Sequence, residues 1–192
     1  FTEEFFKTIG KEIKGTTFAI SGFGNVSWGV CKKIEELGGK VITLSGPDGY
    51  IYDKDGICGE KIDYLLEMRA SCRDMVKDYA DKFHVEYHQG EKPWGRVNAD
   101  IYMQCATQND IHKEDAQRIL AEGHSKILIE VANMPTTQDA MDLLMDNGVI
   151  ILPSKAVNAG GVAVSALEMS QNAEHLSWSA EEVDARLQNI MR

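Results

Sequence analysis

The sequence predicts an α/β fold: a doubly wound, mostly parallel sheet flanked by helices. Three observations predict it. Short apolar runs alternate with helix-like amphipathic segments from Gly15 onward. The first apolar run stops at two glycines spaced by one residue, Gly22 and Gly24. Later runs end in small polar clusters, one at Thr107-Gln108-Asn109 and one at Asn133. This βαβα rhythm is that of parallel strands joined by crossover helices.

Strands are expected at residues 17–21, 40–44, 99–103, 127–131 and 149–152, with a further short one at 85–87. Residues 62–83 read as one helix. Ile62, Leu65, Leu66, Cys72, Met75, Val76, Tyr79 and Phe83 recur every three or four positions and define one buried face. Residues 117–123 and 138–148 behave similarly, each ending near a glycine that can cap it. Residues 45–59 are rich in Gly, Asp and Tyr and read as a turn, a short extended piece and a second turn. Residues 89–98 form a loop, and 180–191 a last amphipathic helix.

The glycine turn carries the first chemical signal. Gly22 permits a tight turn, Gly24 lets a phosphate approach the backbone, and small Ser27 lets the next helix lie close to the strand. The helix start then offers free N–H groups and a positive dipole end to an anion. Ser27 stands where Gly or Ala is usual, and a strand–helix corner without a ligand reads the same way. The position, after the first strand of a βαβ unit, favours a Rossmann-like dinucleotide site.

Ser45-Gly46-Pro47-Asp48 follows the second strand. Asp48 lies 21 positions beyond Ser27, where an acidic residue bonds the adenosine ribose. No Lys or Arg lies between Lys40 and Lys54 to receive a 2′-phosphate, which favours NAD over NADP. The alternative for Asp48 is a plain turn residue. Parallel strands present their C-termini at one edge, so Thr107 and Asn133 should border the nucleotide crevice. Helix capping would equally explain Asn109, Asp110 and Thr136. Asn158-Ala-Gly160-Gly161-Val162 opens another helix, with Val162 and Ser165 on one face. An Asn-capped helix packed on the sheet is the plainer reading.

Composition narrows the classes. The chain has 192 residues and a net charge of −10, with no basic stripe for nucleic acid. No apolar run is long enough to span a membrane. The acidic opening, Phe1-Thr-Glu-Glu, is unlike a signal peptide. The four cysteines are dispersed, which argues against zinc or a disulfide framework and suggests a reducing cytoplasm. The histidines lack metal-ligand spacing and read as surface residues, as does Lys155. No nucleophile–base pair is evident, and no metal site is expected.

Together the motifs resemble one family. Gly22-Phe23-Gly24-Asn25-Val26, Leu44-Ser-Gly-Pro-Asp-Gly-Tyr-Ile-Tyr-Asp53, Lys92-Pro-Trp94, Cys105-Ala-Thr-Gln-Asn109, Glu130-Val-Ala-Asn-Met-Pro-Thr136, Lys155-Ala-Val-Asn-Ala-Gly-Gly-Val162 and Glu168-Met-Ser-Gln-Asn172 carry the likeness. They are similar to the cofactor domain of the hexameric bacterial glutamate dehydrogenases, within the Glu/Leu/Phe/Val dehydrogenases. The resemblance covers essentially the whole chain. It implies one dinucleotide-binding domain over 1–192, cut from a two-domain enzyme that assembles as a homohexamer. The implied reaction is oxidative deamination of L-glutamate to 2-oxoglutarate and ammonia with NAD or NADP.

The resemblance also implies residue roles. Gly22, Phe23, Gly24, Asn25 and Val26 match the dinucleotide turn. Ser45, Pro47 and Asp48 match the adenosine-ribose region. Ala106, Thr107, Asn133 and Asn158 match the nicotinamide side. Val162 and Ser165 match residues that reach the substrate, with Ser165 hydrogen-bonding the substrate's side-chain carboxylate. No catalytic residue is expected here, because the family's catalytic lysine and aspartate lie in the other domain. Two alternatives stay open: a domain of a leucine or phenylalanine dehydrogenase, and a stand-alone nucleotide-binding regulatory module. A single-domain reductase would need a Tyr-x-x-x-Lys pair, which is absent.

Overall fold

The computed structural model describes residues 1–72 and 75–191. Its elements in chain order are α1 (Thr2–Thr8), β1 (Thr17–Ile20), α2 (Asn25–Glu36), β2 (Lys40–Gly46), β3 (Gly49–Tyr52), α3 (Glu60–Ala70), α4 (Lys77–Phe83), β4 (Glu86–Gln89), β5 (Ile101–Gln104), α5 (Lys113–Glu122), β6 (Ile127–Glu130), α6 (Gln138–Asp146), β7 (Ile150–Leu152), α7 (Ser154–Val157), α8 (Ala159–Glu174) and α9 (Ala180–Met191). The strands form one seven-stranded sheet in the order β4-β3-β2-β1-β5-β6-β7. β1, β2, β5, β6 and β7 pair in parallel, and β3 and β4 add antiparallel at one edge. The doubly wound, mostly parallel sheet expected from the sequence is the observed fold.

Strand alternation divides the core into two layers. Phe18, Ile20, Ile101, Met103, Ile127 and Ile129 point to one face, where they meet Cys31 and Ile34 of α2, Leu65 and Met68 of α3 and Tyr79 of α4. Ala19, Ile42, Tyr102 and Leu128 point to the other, against Ala116 and Ile119 of α5 and Ala140 and Leu144 of α6. Trp94, fully buried, closes this second layer edge-on to Tyr102 at 5.6 Å.

Two readings need correction. The single helix expected over 62–83 is two helices. Leu66, Cys72 and Met75, assigned to its buried face, are exposed. Cys72 adopts a left-handed conformation (φ 50°) that ends the first run. The second starts where the Asp48 carboxylate accepts the Val76 and Lys77 N–H groups at 2.9 and 3.0 Å. The short extended piece within 45–59 is a full member of the sheet, β3. A two-residue turn, Pro47-Asp48, joins it to β2.

A buried ion pair locks this edge. Asp53, at the end of β3, contacts Lys61 Nζ at 2.6 Å and accepts the Tyr79 hydroxyl at 3.0 Å. The partners come from α3 and α4, so one carboxylate ties the end of β3 to both helices. Burial, followed by the nearby Asp53 charge, pushes the Tyr79 phenol far above its ordinary value.

Candidate functional site

In this sheet order the connection from β2 runs outward to one side of β1, and the chain then returns to β5 on the other side. The C-terminal ends of β1 and β5 therefore form a switch point, the place where open α/β sheets receive ligands. A crevice of about 910 Å³ opens there. A second lobe of about 530 Å³ lies toward β6 and α8. Val26, Cys105, Ala106 and Thr107 line both lobes and make them neighbours.

The first lobe is built on the glycine turn. Gly22 has φ +83°, and a Cβ there would lie 2.7 Å from Ser27 Oγ and 3.1 Å from the Ala106 Cα. Ser27 is fully buried and donates its hydroxyl to the Ser21 carbonyl at 3.2 Å. The unusual serine thus fastens the helix to the strand it follows. Ser45 Oγ accepts the Gly22 N–H at 3.0 Å, and Ser21 Oγ accepts the Cys105 N–H at 3.1 Å. These bonds tie the ends of β1, β2 and β5 together around the turn. Thr43 strengthens the same junction. The β1–β2 register slips between Phe18 and Ala19, and the Thr43 hydroxyl bonds both the N–H and the carbonyl of Ile20.

Of the expected site residues, Gly22, Phe23, Gly24, Asn25, Val26, Ser45, Pro47, Ala106 and Thr107 line the first lobe. Asn133, Asn158, Val162 and Ser165 line the second, with Val26, Ala106 and Thr107 shared. Asp48 lines neither lobe. Its carboxylate is engaged by the start of α4 and by the Tyr87 hydroxyl at 3.1 Å. Helix α4 and Tyr87 thus already engage both of its carboxylate oxygens.

The second lobe departs from the plainer helix-cap reading. Asn158 makes no side-chain cap to α8. Its amide donates to Asn133 Oδ1 at 2.7 Å and to the Val131 carbonyl at 3.2 Å, joining α8 to the end of β6. Asn109, Asp110 and Thr136 are not caps either, since His112 and Thr137 hold those positions. Thr136 instead bonds Gln104 in the interior. At Gly160 and Gly161, which open α8, an added Cβ would have nothing within 4 Å, so no protein contact requires glycine there.

Two further lining residues, Arg69 and Lys92, are not among the expected site residues. Arg69, from the last turn of α3, reaches the first lobe. Lys92 also lines it and bonds the Asp110 carbonyl, with its Nζ 3.5 Å from Asp110 Oδ1. The sequence held a hint of Lys92, because buried Trp94 anchors its loop two residues on. Nothing local marked Arg69, whose place depends on α3 packing against α2. Cys105 is a buried thiol that burial raises well above its ordinary value, so it stays protonated and non-nucleophilic. Among the described residues no histidine lines either lobe, and no acidic, His or Cys cluster could hold a metal.

Known proteins share this arrangement. The family model described as Glutamate/Leucine/Phenylalanine/Valine dehydrogenase matches residues 1–192. The NAD-specific glutamate dehydrogenase of Clostridium symbiosum is 57% identical over 193 residues, which span 100% of this chain and 42% of the relative. That of Bacteroides fragilis is 54% identical over 100% of this chain and 43% of its own length. A solved glutamate dehydrogenase structure superposes with a TM-score of 0.94 at 57% identity, covering 99% of this chain and 42% of that one. The chain thus spans well under half the length of the relatives it matches. With its whole length matched by the family model, the chain belongs to the glutamate/leucine/phenylalanine/valine dehydrogenase family.

Proposed function

We propose that this chain holds a nicotinamide dinucleotide and forms the cofactor wall of a dehydrogenase that converts L-glutamate to 2-oxoglutarate and ammonia. The observation that carries the reading is the pair of neighbouring lobes at the β1–β5 switch point. A phosphate-accepting glycine turn lies in one, and an amide-and-hydroxyl cluster in the other.

The residues present fit the cofactor. Gly22 and Gly24 leave the turn free of side chains, and the first turn of α2 directs N–H groups toward a pyrophosphate. Ser45 Oγ holds that turn by accepting the Gly22 N–H, and its residue lines the same lobe. The Asn133–Asn158 pair supplies fixed amide groups for a carboxamide. Bound nicotinamide would accept a hydride from the amino acid's α-carbon. Val162 and Ser165 face the same lobe, with Val162 75% exposed, and Ser165 is suited to hydrogen-bond a substrate carboxylate. The side-chain-free surface at Gly160 and Gly161 allows close approach there. NAD is favoured over NADP, because the 45–48 turn carries no cation and the Clostridium symbiosum and Bacteroides fragilis relatives are named NAD-specific.

Hydride transfer needs reactants held together in a water-poor cleft. These lobes provide one wall. Titration calorimetry on the chain alone should therefore show NAD binding, stronger than NADP binding, with no glutamate oxidation. A chimera in which this chain replaces the matching 42% of the Clostridium symbiosum enzyme should reduce NAD in the presence of glutamate. An assembled chimera that binds NAD but oxidises leucine or phenylalanine in place of glutamate would overturn the substrate assignment.

A further inference from the structure

We infer that Arg69 contacts the dinucleotide's pyrophosphate and supplies the cation its glycine turn lacks; this rests on the reading of the crevice as a dinucleotide site. The chain carries a net charge of −10, a repulsive setting for a polyanionic ligand. The glycine turn offers only N–H groups and a helix dipole. Among the described residues two cations line the lobe around it, Arg69 and Lys92. Lys92 is held by Asp110, through both its carbonyl and its carboxylate. The Arg69 guanidinium is placed differently. Its Nη1 lies 3.6 Å from the point where a Gly24 Cβ would stand, directly beside the start of α2.

The fold holds Arg69 in that place. The preceding residue, Met68, is fully buried, and so is Leu65 one turn earlier. The start of α3 is pinned to α2, where Glu35 Oε1 accepts the Gly59 N–H at 2.9 Å. The other described arginines, Arg96, Arg118 and Arg186, each pair with a carboxylate. Among the described residues Arg69 has no such partner. A planar guanidinium over a glycine turn suits two phosphate oxygens at once. Because the contact is at the turn, it serves the phosphates NAD and NADP share and does not select between them.

The test is calorimetric titration of the whole chain and of its R69Q and R69K variants with ADP, adenosine and adenosine 2′-monophosphate. R69Q should weaken ADP about tenfold, the loss of one charge-assisted hydrogen bond. R69K should recover part of it. Adenosine should bind all three proteins alike, and the salt dependence of ADP binding should flatten in R69Q. Unchanged ADP affinity in R69Q overturns the inference and leaves the dinucleotide reading standing. An equal loss for adenosine overturns it by showing a structural effect. A loss confined to the 2′-monophosphate places the guanidinium at the other phosphate and overturns it too. Failure of the unaltered chain to bind ADP or NAD overturns both readings.

Discussion

The β2–β3–α3–α4 edge and the α8–α9 pair are built in opposite ways. At the edge, charged groups are buried or half-buried and matched: Asp53 with Lys61 and Tyr79, Asp48 with the start of α4. In α8, Val162 and Met169 are 75% and 72% exposed, and no residue of either helix is buried. Surface links hold the pair instead. The Trp178 N–H donates to Gln171 Oε1 at 2.7 Å, and the Arg186 guanidinium lies 3.8 Å from the Trp178 ring centroid. The contrast shows that side-chain chemistry is a poor guide to which residues stabilise the fold. An acid at the edge is part of the interior, while valine and methionine in α8 contribute little.

Substitutions and a change of pH test that contrast, beginning with the largest effect. Asp53→Ala leaves Lys61 without its buried partner, and such a break costs about 3–5 kcal/mol. A urea titration should show it as a large drop in midpoint. A loss below about 1 kcal/mol would mean the pair behaves as a surface contact and the edge is not locked by it. Glycine-to-alanine changes should then have opposite signs in the two regions. At Gly22 the added methyl meets Ser27 Oγ at 2.7 Å with φ at +83°, and the strain should cost about 1–3 kcal/mol. At Gly160 the space is open, and alanine should stabilise by about 0.5 kcal/mol through helix preference. Equal signs would erase the distinction.

Alkaline pH should act on the buried thiol and phenol groups packed about the sheet. Burial lifts the Cys31 thiol from its ordinary 9.0 to about 12, and the Tyr50 phenol to about 12. The folded state keeps these protons after the unfolded chain has released them. The stability they confer is complete below pH 9.0 for Cys31 and is lost as pH rises toward about 12. Urea midpoints measured across that window should fall, and Cys31→Ala should lessen the slope. The smallest effect is at Met169→Gln, which should change stability by less than about 0.5 kcal/mol, read from the same titrations. A loss near that of a core methionine would show that α8 is buried after all.

Much of the molecule was legible in its sequence because the signals were local. The parallel strands announced themselves as apolar runs, and Gly22 with Gly24 marked the turn without help from any distant residue. The placement of Thr107 and Asn133 at the crevice followed from one rule, that parallel strands end on one edge. The misses have a different character. Periodicity at Ile62 and Val76 continued across a break, because a helix phase can be resumed after an interruption that only Asp48 and Cys72 make visible. The bonds Asp48 makes within the chain, to Val76, Lys77 and Tyr87, come from residues far along the sequence, where no local pattern marks them. Arg69 was illegible for the same reason: its position beside Gly24 is a property of helix packing.

The sheet order has a further consequence for how this architecture can diversify. Between β2 and β5 the chain makes an excursion to one flank of the sheet, where it adds β3, α3, α4 and β4. The β1–β5–β6–β7 pairing does not pass through that excursion, although α3 and α4 pack into the core beneath the sheet. Yet the excursion delivers Pro47, Arg69 and Lys92 to one end of the crevice. Changes in those three side chains would therefore retune how one end of a ligand is gripped, while the opposite end is borne by β6 and α8.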